Sequence, residues 1–242
     1  MSSQLLHRQT KLLEYLTGSA GIFGRARGLS NEPPLQGLDL GLLHLEARFS
    51  HEKRMQKIDW VLTRTLELLA SKREAVVRDF VEACPPASIT WLDNARQLHA
   101  FLQSRWTQGT VEPAWLPDVA AYEIAYATVR AGERRASLQD GLVAASGSIR
   151  LHPSALLLCC SYDIRCILEG RDDDIPARRE THLVVAMLPS SDEPLVSALS
   201  PPVFELMGML TEFVDPTAFG DTPELIRLLD DLAATGLIEV CP

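Results

Sequence analysis

The spacing of apolar positions changes character once along this chain. From Leu38 to about Gly132 the apolar residues recur at helical intervals. Leu38, Leu42, Leu45 and Phe49 share one face, and Met55, Ile58, Leu62, Thr65, Leu66 and Leu69 share another. Val77, Phe80 and Val81 continue the pattern until Pro85 and Pro86 break it. A fresh helix is predicted near Thr90, where Thr-Trp-Leu-Asp reads as a capping box, with Trp91, Ala95, Leu98 and Leu102 turned inward as far as Gly109. Another follows Pro117, with Val119, Tyr122, Tyr126 and Val129 in a stripe and Gly132 as its stop. These segments predict a helical bundle over 35–141.

After Gly141 the apolar runs become short and dense, which suits strands: GSIRLHPSALLLCCSYDIRCILEG (Gly147 to Gly170) and THLVVAML (Thr181 to Leu188). RDDDIPARRE between them reads as a charged, solvated loop, and the boundary falls near Leu142. Ser200 with Pro201 and Pro202 opens a helix through Phe213, and Thr222 with Pro223 opens a second one that Gly236 stops. Along the second helix Leu225, Leu228, Leu229 and Leu232 form one stripe, and Leu237 to Val240 returns to strand. Strand, helix, turn, helix, wing strand is the order of a winged helix. The expected fold class is therefore α+β, an N-terminal helical bundle followed by a winged-helix-like, peptide-recognition-type α/β region over 142–242.

The N-terminal MSSQLLHRQTKLLEYL is amphipathic and interrupted by charges, unlike a secretory signal, and Gly18 to Pro34 reads as a Gly-, Ser- and Pro-rich linker completing a segment 1–34. Its glycines are not a phosphate cradle, because no strand precedes them and no Gly-Lys-Ser/Thr follows. The 242 residues carry a formal net charge of -9, and no stretch approaches the roughly 18 uninterrupted apolar residues of a membrane helix. A cytoplasmic protein with no membrane partner is expected. Cys84, Cys159, Cys160, Cys166 and Cys241 form no Cys-x-x-Cys pair, and their odd number argues for thiols rather than a disulfide framework.

Charge narrows the partner. A DNA-reading helix needs Arg and Lys against phosphate, yet residues 200–242 carry Glu205, Glu212, Asp215, Asp221, Glu224, Asp230, Asp231 and Glu239 against Arg227 alone. Nucleic acid would be repelled, so the scaffold is expected to hold a peptide along a strand edge. The edge is placed at Leu183, Val184, Val185, Ala186, Met187 and Leu188, with Glu224 and Asp231 biasing the site toward a basic peptide; the alternative is that the chain's own SALLLCC segment (Ser154 to Cys160) already covers this edge.

Searches for chemistry return little. Cys159 and Cys160 are adjacent on a strand and point to opposite faces, so they do not share an ion and read as small core residues. His44 and His51 lack a third ligand, and Asp172, Asp173 and Asp174 lack the alternating spacing of a calcium loop. There is no Gly-x-Ser-x-Gly elbow, no Ser-x-x-Lys and no recognisable Cys–His pair. No catalytic residue and no metal ligand is assigned to this chain, which reads as non-catalytic by itself.

LPDVAAYEIAYATVRAG (Leu116 to Gly132) resembles the Leu-Pro-Asp-hydrophobic-Ala-x-x-Glu helix of a family of bacterial partner proteins for multinuclear-iron, TIM-barrel oxidases that modify ribosomally made peptides. The Pro-Ser and Ser-Tyr-Asp within Leu151 to Ile164 are similar to the family's next segment, and the acidic winged helix stands in the matching place. The resemblance covers roughly residues 36 to 242, and within the family it points to the partner subunits of methanobactin biosynthesis. Ile124 and Ala125 stand where many relatives carry an aromatic.

The resemblance implies a heterodimer whose other subunit holds the iron, this chain binding no cofactor of its own. That complex would convert a precursor-peptide cysteine to an oxazolone and thioamide, with this chain helping to bind the leader peptide. Asp118, Tyr122 and Glu123 on the helix, and Tyr162, Asp163 and Arg165 on the following segment, are the expected partner interface, Arg165 offering a bidentate pair to a partner carboxylate; the equal alternative for the helix is that Tyr122 and Tyr126 are core and Glu123 caps or pairs within the chain. The competing readings are a winged-helix transcription regulator and an interaction module with no peptide-modifying partner.

Overall fold

The computed structural model describes residues 2–24, 37–132, 147–171, 175–188 and 191–241. The chain is mixed α+β and divides into two compact units, Met1–Ala120 and Ala121–Pro242. The division falls inside a helix. The boundary expected near Leu142 and the aspartate run Asp172 to Asp174 lie outside the described residues, as does the part of the linker from Arg25 to Pro34.

The first unit is helical: α1 (Ser2–Thr17), α2 (Ser19–Phe23), α3 (Leu40–Asp59), α4 (Thr63–Leu68), α5 (Arg73–Ala83), α6 (Trp91–Trp106) and the first turn of α7 (Leu116–Ala131). α3 is the hub and packs on α1, α2 and α6. Asp39 starts it by accepting the backbone N–H groups of Gly41 and Leu42 at 2.8 and 3.2 Å, and Thr90 caps α6 through the N–H of Asp93 at 3.2 Å. The predicted stripe of Ile58, Leu62, Thr65, Leu66 and Leu69 is buried, as are Phe80, Val81, Ala95, Leu98 and Leu102.

Two expectations fail in this unit. Leu38, Leu42, Leu45 and Phe49 do share a face, but that face is exposed, because α3 turns Ala47, Arg54 and Ile58 inward instead. The start of the expected linker is the short helix α2, whose Ile22 is buried with Ala47 and Val81. A five-residue helix carries too little periodicity to be seen in sequence, and its stability comes from packing rather than propensity.

A buried arginine joins three elements of this unit. Arg54 on α3 donates from Nε to Asn94 Oδ1 on α6 at 3.0 Å, from both terminal nitrogens to the Cys84 carbonyl after α5 at 3.1 Å, and from Nη2 to Gln97 Oε1 at 2.7 Å. Its guanidinium lies 4.5 Å over the Phe80 ring. Burial away from water lowers its pKa, and these neutral acceptors compensate for the lost hydration.

The second unit is built on a three-stranded antiparallel sheet in the order β2 (Ala155–Cys160), β3 (Thr181–Ala186), β4 (Leu195–Leu199). A separate ladder joins β1 (Ser148–Leu151) to β5 (Ile238–Cys241), and Val214 bridges to Ile149 through both backbone bonds at 2.8 Å. A side chain at Gly147 would meet the Cys241 carbonyl at 2.8 Å, so the entry to β1 needs glycine. One face of the sheet packs Ala155, Leu157, Val184, Ala186 and Leu199 against α9 (Pro201–Met209) and α10 (Pro223–Ala234). The other face packs Leu156, Leu158, Val185 and Val196 against Tyr122, Ala125, Tyr126 and Val129 of α7. That contact explains why the second unit begins inside the helix.

The start and stop of α10 follow the sequence signals closely, whereas the Ser200 side chain makes no capping bond at the start of α9. Thr222 caps α10 by accepting the Leu225 N–H at 3.3 Å, and Gly236 ends it with φ of 77°. Leu229 and Leu232 are buried, with Leu225 and Leu228 packed beside them. α9 stops at Met209, earlier than Phe213, because Val214 is drawn into strand pairing with β1.

Candidate functional site

β3 is the central strand of its sheet. Leu183 pairs with Leu158 on one side and Ala198 on the other, and Val184, Val185 and Ala186 are likewise paired twice. The side chains of Leu183, Val184, Val185, Ala186 and Met187 are buried, and Leu188 is half-buried. The expected peptide-binding edge at Leu183 to Leu188 is therefore corrected: Leu183 to Ala186 are paired on both sides, by β2 and by β4, the Met187 N–H bonds the Ser154 carbonyl at 3.3 Å, and helices cover both faces. An uninterrupted β-branched and aliphatic run is the pattern of a strand buried on both faces, whereas a half-exposed edge strand alternates.

The sheet ends instead at β2 and β4. β4 is the more open of the two, with Leu195, Ser197 and Ala198 exposed and Val196 and Leu199 half-buried. It contains no Lys, Asp, Glu or Pro, the residues with which edges are usually blunted. Its entry is held by Glu193, which accepts from the Tyr126 hydroxyl at 2.7 Å and pairs with Arg130 at 3.0 Å. Burial, and then the bond to Glu193, push the Tyr126 hydroxyl up to about 12. Glu224 and Asp231, two helical turns apart on α10, are both exposed.

The segment after β2 gathers charge. Asp163 is held by Arg165 through two parallel bonds of 2.7 Å, Nε to Oδ1 and Nη2 to Oδ2, and Arg179 also donates to Oδ2. The Arg165 guanidinium, with Arg179 assisting, holds the Asp163 carboxyl well below the usual carboxylate range, and Asp163 in turn raises Arg165. The bidentate fork of Arg165, expected to reach a partner's carboxylate, is thus engaged within the chain. The two residues stand two positions apart at the start of the short helix α8 (Arg165–Leu168), so the intramolecular pair forms without ordering a second molecule. Asp163, Arg165, Cys166, Glu169, Arg171, Ile175 and Ala177 line a cleft of about 440 Å³. Tyr162 is half-buried beside it.

The helical patch is turned further inward. Glu123 is buried, Asp118 is half-buried, and Tyr122 packs with Tyr126 against the sheet, ring centroids 5.9 Å apart. Burial and the neighbouring Glu123 raise the Tyr122 hydroxyl. Tyr122 and Glu123 thus serve this chain's own packing, which corrects their placement on an outward surface.

Residues absent from the sequence-based assignment also meet. Cys159 lies opposite His182 across the β2–β3 ladder, Glu180 precedes His182 by two positions, and the ligand atoms of all three lie within 4.8 Å of one another. Cys159 is exposed and Cys160 buried, so the opposite facing of adjacent strand residues is seen, while the reading of both as small core residues holds for Cys160 and fails for Cys159. The local signal was Glu-x-His ahead of an apolar strand, since a period of two puts both side chains on one face. The register that brings Cys159 to them was not legible.

No family model matches this sequence, and no curated protein is significantly similar to it. Among the described residues no helix is long and apolar enough to cross a membrane.

Proposed function

We propose that this chain is a partner subunit that holds the leader segment of a ribosomally made precursor peptide and completes an iron-dependent oxidase complex. The oxidase subunit holds the iron and carries out the conversion of a peptide cysteine to an oxazolone and thioamide, in biosynthesis of the methanobactin type. The observation that supports this reading is the open, uncharged edge of β4. An extended peptide adds there as a fourth strand, gaining main-chain hydrogen bonds along Leu195–Leu199, with side-chain contacts at every second residue. The winged-helix reading of 142–242 supports it as well: β3, α9, α10 and β5 keep the expected order, with β4 standing between β3 and α9, while the exposed face of α10 is acidic and repels nucleic acid.

Partner contact is assigned to the Asp163–Arg165–Arg179 cluster and its cleft, where the cations outnumber the anion around Asp163 and Arg179 stays largely exposed. In this reading the internal pair fixes the shape of the segment and Arg179 meets the oxidase.

The experiment is hydrogen exchange on the full chain with and without the precursor peptide encoded beside it, together with copurification with the neighbouring oxidase. The expected result is slowed exchange in 195–199 and an iron-containing complex. Protection confined to the helical unit, or failure of the two chains to copurify, overturns the proposal.

A further inference from the structure

Across the end of the β2–β3 ladder the side chains of one thiol, one carboxylate and one imidazole converge, although more than twenty positions of chain separate the thiol from the other two. Cys159 and His182 are register partners and so project from the same face of the sheet, the face that α9 covers. Glu180 joins them from two residues before His182. His182 Nε2 already lies 3.2 Å from Glu180 Oε1. In a tetrahedral Zn2+ site with metal–nitrogen and metal–oxygen bonds of about 2.0–2.1 Å, those two donors stand about 3.3 Å apart. The nitrogen–oxygen edge of such a site is thus in place before any ion enters.

The His182 ring is not loose. It stacks on Phe204 of α9 with centroids 4.3 Å apart and planes 28° from parallel, and its side chain is only 11% exposed. The imidazole is held by its aromatic neighbour, while Cys159 and Glu180 reach it from the solvent side. To sit about 3.6 Å from the nitrogen, as a metal–sulfur bond of about 2.3 Å requires, the Cys159 Sγ, now within 4.8 Å, closes by no more than about 1.2 Å, within a side-chain rotation.

We propose that Cys159, Glu180 and His182 form a Zn2+ site whose fourth position is open to solvent. The donor set selects the ion class. A thiolate excludes the hard cations Mg2+ and Ca2+, and a carboxylate is a poor ligand for the soft monovalent ions that thiolates favour, which leaves a borderline divalent cation. Three protein ligands with an open position make an exchangeable site rather than a closed structural one. Bound there, the ion ties the end of β2 to the start of β3. The site is independent of the peptide-binding reading, which uses the opposite edge strand.

The test uses the full chain, reduced and stripped with chelator, titrated with Co2+ as the spectroscopic probe and then with Zn2+. One equivalent of Co2+ is expected to give thiolate-to-cobalt charge transfer and the visible bands of a tetrahedral site, and Zn2+ is expected to remove them. Cys159→Ser removes the charge-transfer band and weakens Zn2+ more than about 100-fold, beyond the effect of losing an outer-shell partner. Because a change at His182 also disturbs the Phe204 stack, the exposed Glu180→Gln is the second variant, expected to weaken Zn2+ about tenfold or more with unchanged circular dichroism. Cys84→Ser with Cys166→Ser and Cys241→Ser keeps the band. A full chain without thiolate charge transfer, a band that survives Cys159→Ser, or one lost in the triple variant overturns the site.

Discussion

β3 and β4 are neighbours in one sheet, of nearly equal length and both rich in Leu, Val and Ala, yet one is sealed and the other open. β3 has a strand on each side and a helical layer on each face; β4 has β3 on one side only. Composition therefore does not tell a central strand from a terminal one. Position in the sheet does, because only a terminal strand retains a row of backbone donors and acceptors for another chain. The edge expected on β3 is covered by the chain's own SALLLCC segment, the alternative that the sequence left open, and an unbroken apolar run is the sign of such burial.

The sharpest test of this contrast is a matched pair of truncations. Leu183→Ala should cost about 3 kcal/mol of unfolding free energy, since it empties a fully buried site. Leu195→Ala, at an exposed position, should change it by less than about 0.5 kcal/mol. Denaturant unfolding of both variants measures this, and equal losses would break the distinction between the strands.

The same contrast predicts opposite behaviour toward the peptide. Ala198→Lys places a charge on the exposed terminal strand and should leave the fold intact while weakening leader-peptide binding about tenfold, or roughly 1.4 kcal/mol. Isothermal titration with the precursor peptide measures it. Full affinity in this variant would move the peptide off β4.

Beyond β2, at the sheet's other side, a pH effect is expected. Asp163 has a depressed pKa in the folded chain, so its ion pairs stabilise the protein above the ordinary aspartate pKa of about 3.9, and that contribution is lost as pH falls below it. Comparing the wild type with Asp163→Asn by urea unfolding from pH 6 to pH 3 should show an acid-dependent loss that the variant lacks. Parallel curves would remove the cluster from the acid response.

The smallest effect lies at the entry to β4. Tyr126→Phe loses the bond to Glu193, at a cost of about 0.5–1 kcal/mol. The raised Tyr126 pKa stabilises the fold fully below about pH 10, and that contribution is lost between there and about 12. Ultraviolet titration of tyrosinate should show the late-ionising signal shrink in the variant, with the raised Tyr122 remaining.

Much of the second unit was legible residue by residue. Thr222, Pro223 and Gly236 bound α10 where they stand in sequence, and the stripe of Leu225, Leu228, Leu229 and Leu232 meets the core. These are local devices, satisfied within a few residues. The stripe from Leu38 to Phe49 shows the limit of that logic: its period is helical and its helix forms, yet the face is exposed, since periodicity says which residues share a side and not which side is covered.

What the sequence determined by itself were the long helices α3, α5, α6, α7 and α10, the strands β1 to β3 and β5, the bounds of α10, and the acidic character of the C-terminal helices, because each depends on backbone propensity and charge over short spans; the short α2 and α8 and the strand β4 carry too little periodicity to be read. Only the tertiary structure decided which strand ends the sheet and that Cys159 meets Glu180 and His182. Those outcomes rest on strand register and order, set by how buried faces fit together across long loops, and a one-residue slip would reverse every one of the sheet's faces.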